Sequence, residues 1–192
     1  MTEATMTEAV ARILPWPDAR PDLTPSLQGW LMPENQWGLR VLVPGKSVIV
    51  EIGTHHGLSA RFMADLAPEA SVYCVDPWET WGGGIFPSTP EHFFASCWDY
   101  RDRLIPVRGR SPAALDFLAG QGVKPDLVYV DGDHREDGAY ADIAAVIRLW
   151  PKAVLCGDDY ATENPGVMRA VERAGAESGR ILWQSGRFWR LA

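Results

Sequence analysis

The stretch "VYVDGDHREDGAY", Val128 to Tyr140, runs from apolar residues into Asp131, Asp133 and His134, and then into helical spacing. Carboxylates beside an imidazole at the end of a strand can hold a cation or move a proton. The same placement of acid recurs along the chain. "SVIVEIG" ends in Glu51 and Gly53, "SVYCVD" ends in Asp76, and "KAVLCGDDY" carries Asp158 and Asp159 past its apolar run. Acid gathered at one rim is repulsive unless a positive or hydrogen-bond-donating ligand sits there.

Alternating elements must bring these ends together. A short helix over Glu34 to Val43 leads into a strand at Ser47 to Gly53, and Leu58, Phe62, Met63 and Leu66 space a helix before Pro68. Ser71 to Asp76 is the next strand, and helix-like residues from Pro90 to about Arg103 precede the strand "LIPVRG". "SPAALDFLAG" reads as a helix closed by Gly120, "PDLVYVDGD" as a strand, Glu136 to Leu149 as a helix and "KAVLCGDDY" as a strand. A helix from Asn164 to about Ala176 follows, with Pro165 in its first turn. "RILWQ", the turn pair Ser185 and Gly186, and "RFWRLA" form a terminal hairpin. The pattern predicts a doubly wound α/β domain with a mostly parallel, seven-stranded sheet and an antiparallel C-terminal hairpin. Residues 1–25, including "LPWPDARPDLTP", are expected to be an extended or loosely attached arm, and residues 26–192 one domain.

Composition narrows the partners. A 192-residue chain with a formal charge of -7 lacks the basic surplus that a nucleic-acid groove draws on, so a small polar molecule is the expected partner. No run approaches a membrane span, and the start is unlike a secretory signal. Cys74, Cys97 and Cys156 are scattered and read as buried thiols of a reducing compartment, so a cytoplasmic location is expected.

"EIGTHHGLSA" suits a loop that approaches a ligand closely. Gly53 and Gly57 permit tight turning around Thr54, and Ser59 can cap the following helix. The spacing is not the Gly-x-Gly-x-x-Gly fingerprint, and Glu51 favours a cationic or amine-bearing ligand over a pyrophosphate. Asp76, at the end of the next strand, is placed to accept hydrogen bonds from a ribose diol. A ribose joined to a positive remainder suggests S-adenosylmethionine (SAM).

"VIVEIGTHHGLSA", "VYCVDPW", "VRGRS", "LVYVDGDHREDGAYADI" and "VLCGDDY" stand in the order of the class I SAM-dependent methyltransferases, which the chain resembles from about Glu34 to Ala192. The acids of its last two parallel strands are similar to those of metal-dependent O-methyltransferases, particularly the sugar-modifying group that includes macrocin O-methyltransferase, and more distantly catechol O-methyltransferase. The resemblance implies a Rossmann-like fold, with Glu51, Gly53 and Gly57 at the methionine end of the cofactor and Asp76 on the ribose. It also implies Ser111 near the adenine, Trp78 packed on that base, and Thr54, Ser59, Pro77 and Asp131 completing the cofactor site.

Asp131, Asp158 and Asp159 on neighbouring strand ends suit a hard divalent cation, with magnesium the best fit. In the resemblance His134 takes the place of the base, with Asp133 as the competing candidate. The catechol group has Asp-Asn where this chain has Asp158 and Asp159, so the similarity follows the sugar group. The implied reaction is methyl transfer to a hydroxyl of a sugar or natural-product intermediate. A metal-independent methyltransferase and a non-catalytic nucleotide-binding scaffold are the alternatives. Trp78, Trp81 and Phe86 flank the glycines Gly82 to Gly84 and are expected to wall the acceptor pocket from a mobile loop. With a short segment ahead of the first strand, that pocket is expected to be open or completed by a second copy of the chain.

Overall fold

The computed structural model describes residues 11–25, 31–79 and 88–192. Trp81, Phe86 and the three loop glycines lie outside the described residues. Their expected role at the acceptor pocket therefore has no structural counterpart here.

The β-branched run of β2 (Val48–Ile52) occupies the centre of the sheet, where a strand covered on both faces must be apolar on alternate sides. It pairs in parallel with β3 (Ser71–Asp76) and β5 (Leu127–Val130), with Ile52 opposite Val75 on one side and Val130 on the other. Beyond them lie β4 (Leu104–Arg108), β6 (Val154–Gly157) and the hairpin of β7 (Leu182–Ser185) and β8 (Phe188–Leu191). With β1 (Arg12–Ile13), the strand order is β1-β4-β3-β2-β5-β6-β8-β7. Strand order reverses between β2 and β5, the position where open α/β sheets leave a crevice.

Side-chain alternation sorts the core into two layers. Val50, Ile52, Val128 and Val130 pack against α4 (Ala113–Gly120), α5 (Glu136–Leu149) and α6 (Pro165–Ser178), through Leu115, Ile143 and Val171 among others. Ile49, Leu127 and Tyr129 face α1 (Pro33–Leu42), α2 (Leu58–Leu66) and α3 (Pro90–Cys97), through Leu39, Met63 and Phe93. Each completely buried aliphatic side chain contributes about 2 kcal/mol. The three cysteines are buried free thiols, and none of the described helices is long and apolar enough to cross a membrane.

Three local features depart from the pattern in the sequence. First, the helix from Pro90 ends at Cys97 and tightens into a 3-10 turn over Trp98–Tyr100. Second, Ser185 pairs with Phe188, so the hairpin turn is made by Gly186 and Arg187 and not by Ser185 and Gly186. Gly186 supplies the positive φ of 56° that such a turn requires. Third, the arm adds an eighth strand: β1 pairs antiparallel with β4, placing Ile13 opposite Val107, and the Leu14 amide donates to Pro106 O at 2.8 Å.

Trp16 continues that attachment. Its indole Nε1 donates to Leu104 O at 3.0 Å, and its ring lies 5.0 Å from Phe94 and 5.7 Å from Phe93. The described part of the arm is therefore extended but seated on the sheet edge and on α3. Trp16→Ala is expected to lower unfolding stability by about 2 kcal/mol, since the half-buried ring loses both packing and a hydrogen bond. Chemical denaturation monitored by far-UV circular dichroism measures this, and an unchanged midpoint would show that the arm contributes nothing to the fold.

Candidate active site

The loop after β2 is shaped by close backbone approach. Gly53 has φ 88°, and a Cβ there would stand 1.8 Å from Asp131 O, so only glycine lets the ends of β2 and β5 come together. Beneath the loop, Glu51 points into the α1–α2–α3 layer with no exposed surface. The hydroxyls of Thr54 and Ser59 donate to its two carboxylate oxygens, tying the loop to the strand below it. Burial pushes the Glu51 carboxyl up to about 7 against the opposing pull of those hydroxyls. Glu51 thus holds the loop from behind and does not line the cleft where the methionine end was expected.

Asp76, at the end of β3, accepts from the His55 amide at 2.8 Å and the Trp78 amide at 2.6 Å. Its carboxylate is thereby oriented on the cleft wall, with a further lone pair on each oxygen. Pro77 and Ser111 line the same cleft. Trp78 does not: its φ of 47° turns the indole into the core, where it donates to His55 O at 2.9 Å and packs 5.3 Å from Phe93. The stacking expected between this ring and the cofactor base is not available from that position. Gly57 also lies off the cleft and packs beside Cys97 and Phe93.

The acids at the ends of β5 and β6 form one network. Asp131 faces the cleft, and its carboxylate accepts no hydrogen bond from any described residue. Burial, and then the charges of Asp158 and Asp159, hold its carboxyl well above the ordinary range. Asp159 adopts φ 66°, which aims its side chain across the rim. Its Oδ2 lies 2.7 Å from His134 Nε2, while Oδ1 accepts from Asn164 Nδ2 at 2.8 Å and from Arg187 Nη2. Burial alone would raise the Asp159 carboxyl, but bonding to His134 and Arg187 prevails and holds it low. The Asp159 hydrogen bond in turn raises His134 above its ordinary value.

Asp133 and Asp158 are placed differently. Arg135 forks onto Asp133, with Nε 3.0 Å from each oxygen and Nη2 2.5 Å from Oδ2, which lowers the Asp133 carboxyl. Asp158 closes its own turn, Oδ1 accepting from the Asp159 amide at 2.5 Å, and it is only 4% exposed. Among the described residues, the side chains whose ligand atoms lie within 4.8 Å of one another are Asp131, His134 and Asp159. Asp158, expected beside Asp131 and Asp159, is not in that group, and its Oδ1 accepts from the Asp159 amide.

These groups line a cleft of about 1000 Å³ at the carboxyl ends of the strands, a volume at the upper end for small-molecule sites. Three contributors escaped the sequence reading. Arg187 arrives from the hairpin turn, and no motif marks it. Asn164 reaches Asp159 from the residue before α6. Asp142, 3% exposed on α5, lines the cleft beside Ser111, and burial pushes its carboxyl up to about 6. Its signal was legible, since helical spacing puts it on the buried face with Ala139, Ile143 and Val146.

The model of a family described as a methyltransferase domain matches residues 50–160, more than half of the chain. The chain belongs to this methyltransferase family. It is a methyltransferase. Among solved structures, the O-methyltransferase of Bacillus cereus, in complex with SAH, superposes with a TM-score of 0.65 at 19% identity, covering 83% of this chain and 80% of its own. Precorrin-6y C5,15-methyltransferase of Geobacter metallireducens gives 0.62 at 14%, covering 88% and 90%. The O-methyltransferase TomG of Streptomyces achromogenes, involved in tomaymycin synthesis and in complex with SAM, gives 0.59 at 20%, covering 81% and 75%. A search of curated protein sequences finds no match.

Two pH effects follow for the methyltransferase. Because the folded pKa of Glu51 is raised, from 4.5 to about 7, its contribution to stability is complete below pH 4.5 and is lost as pH rises through about 7. The loss amounts to about 3 kcal/mol. Denaturant titrations between pH 4.5 and 8 should show this slope in the wild type and a flatter one in Glu51→Gln; parallel slopes would refute the burial argument. For His134, nuclear magnetic resonance in EDTA should give a pKa above 6.5 that falls toward the ordinary value in Asp159→Asn. No change on substitution would mean that the 2.7 Å contact does not govern the imidazole.

Proposed function

We propose that the methyltransferase transfers the SAM methyl group to a hydroxyl of a small molecule, with a divalent cation at its acidic rim. The observation that carries this reading is the open carboxylate of Asp131 beside His134 and Asp159, all within 4.8 Å, in the cleft at the switch point of the sheet. Two carboxylates and an imidazole form a donor set suited to magnesium or manganese, completed by water. Asp131 and Asp159 would hold the ion, with His134 alongside. Such a cation supplies positive charge that favours the ionised form of a nearby hydroxyl, while SAM supplies the electrophilic methyl.

The chain's own residues account for orientation and for the proton. Thr54 and Ser59 border the methionine end, Asp76 takes the ribose hydroxyls, and Ser111 stands at the adenine end. Of the two base candidates, His134 is favoured. The Arg135 fork occupies Asp133 and makes it a poor proton acceptor, whereas Asp159 stabilises the imidazolium that proton uptake creates. Oxygen as the acceptor atom is supported by the O-methyltransferases among the structural neighbours, and a small acceptor by the chain's acidic balance. One observation favours a metal-independent variant of the same chemistry: Arg187 already neutralises Asp159.

Methyl-labelled SAM incubated with a panel of sugars and polyphenols tests the proposal. Label should pass to a hydroxyl, stop in EDTA, and resume with magnesium or manganese. Asp131→Asn is expected to lower kcat by about a hundredfold or more, with SAM affinity within about threefold of wild type. Turnover that survives exhaustive chelation would leave the metal-independent variant, and label found only on nitrogen would overturn the assignment of oxygen.

A further inference from the structure

We propose that Arg187 is a resident cation that competes with the divalent ion for Asp159, so that metal binding displaces the guanidinium outward onto Glu163. The inference rests on the reading that the acidic rim takes a divalent cation.

Arg187 is the second residue of the β7–β8 turn, and its main chain is pinned at both polar groups. The Tyr160 amide donates to its carbonyl at 2.9 Å, and its own amide donates to Glu34 Oε1 at 3.4 Å. Only the side chain is therefore available to move. It is 27% exposed and inserted among three carboxylates: Nη2 donates to Asp159 Oδ1, Nε lies 3.6 Å from Asp158 Oδ1, and Nη1 donates to Glu163 Oε1 at 2.7 Å.

Asp159 has no idle oxygen. Oδ1 serves Arg187 and Asn164, and Oδ2 serves His134. A divalent ion that draws on Asp159 must share its carboxylate with a guanidinium in hydrogen-bond contact, and two cations that close in a partly buried site repel strongly. Glu163 offers the escape. Its side chain is 60% exposed and already bonded to the far nitrogen of the fork, so rotation about that contact carries the positive charge toward solvent without breaking every partner. The arginine thereby neutralises the cluster before the metal arrives and sets how tightly the metal is held.

The test is manganese binding to the full chain, measured by electron paramagnetic resonance on wild type, Arg187→Gln, Arg187→Lys and Arg148→Gln. Arg148 makes the same change in net charge at the last turn of α5, where it pairs with Asp116 on the surface. Arg187→Gln should bind manganese at least about tenfold more tightly than wild type, and Arg148→Gln within about twofold. Arg187→Lys, which keeps the charge but loses the fork, should fall between. In EDTA, Arg187→Gln should melt below wild type, and saturating manganese should narrow that gap. Equal affinity in wild type and Arg187→Gln, or Arg187→Lys binding no more tightly than wild type should the Gln variant fail to fold, overturns the inference while leaving the metal reading intact. If neither wild type nor variant binds manganese, the metal reading fails and this inference fails with it.

Discussion

Mutual repulsion among carboxylates crowded at the sheet rim, Asp158 and Asp159 buried and Asp131 half-buried, is the constraint around which this molecule is arranged. Asp131, Asp158 and Asp159 come from adjacent strand ends, and parallel pairing of β5 with β6 leaves them no way to separate. Unpaired, each would face the full cost of burying charge, so the fold brings positive groups to them. His134 comes from the loop after β5 and Arg187 from a hairpin nearly thirty residues beyond Asp158. Of these three, Asp131 is the one whose carboxylate accepts no hydrogen bond from a described residue, and a free acceptor in a cleft draws a cationic ligand.

Rigidity behind the cleft comes from a different device. Glu51 sits in an apolar layer as a carboxyl whose two oxygens are both held by hydroxyls of the loop above it. A raised pKa lets it stay protonated there at pH values where an exposed glutamate is ionised, up to about pH 7. The Gly53 contact with Asp131 O then locks that loop against β5. Cofactor loop and acidic rim are thus one mechanical unit, and each side of the cleft is referenced to the other through backbone contact.

The structural neighbours share this framework at 14–20% identity, so what is common to them is the arrangement of sheet and helices. A precorrin methyltransferase and O-methyltransferases superpose on this fold. Chemistry in such folds is written in the residues at the strand ends and in the elements that reach over them. Here those include the turn arginine and the Asn164 amide, which belong to segments that no strand-end motif describes.

Much was legible in the sequence because it depends on local periodicity. The span of β3 and that of α5 follow from alternation and helical spacing alone, and apolar runs that end in acid locate the cleft before any contact is known. Which acid does what was not legible, because it depends on partners distant in the chain. Arg135 withdraws Asp133, the turn at Asp158 spends that carboxylate, and Trp78 goes into the core since Phe93 waits there. The pairing of β8 with β6 carries Arg187 to Asp159, and β1 reaches β4 from about half the chain away. Residue type and spacing determine which side chains meet a strand end; only the packed sheet decides which of them stay available, since hydrogen bonds and charge pairing act through space and not along the chain.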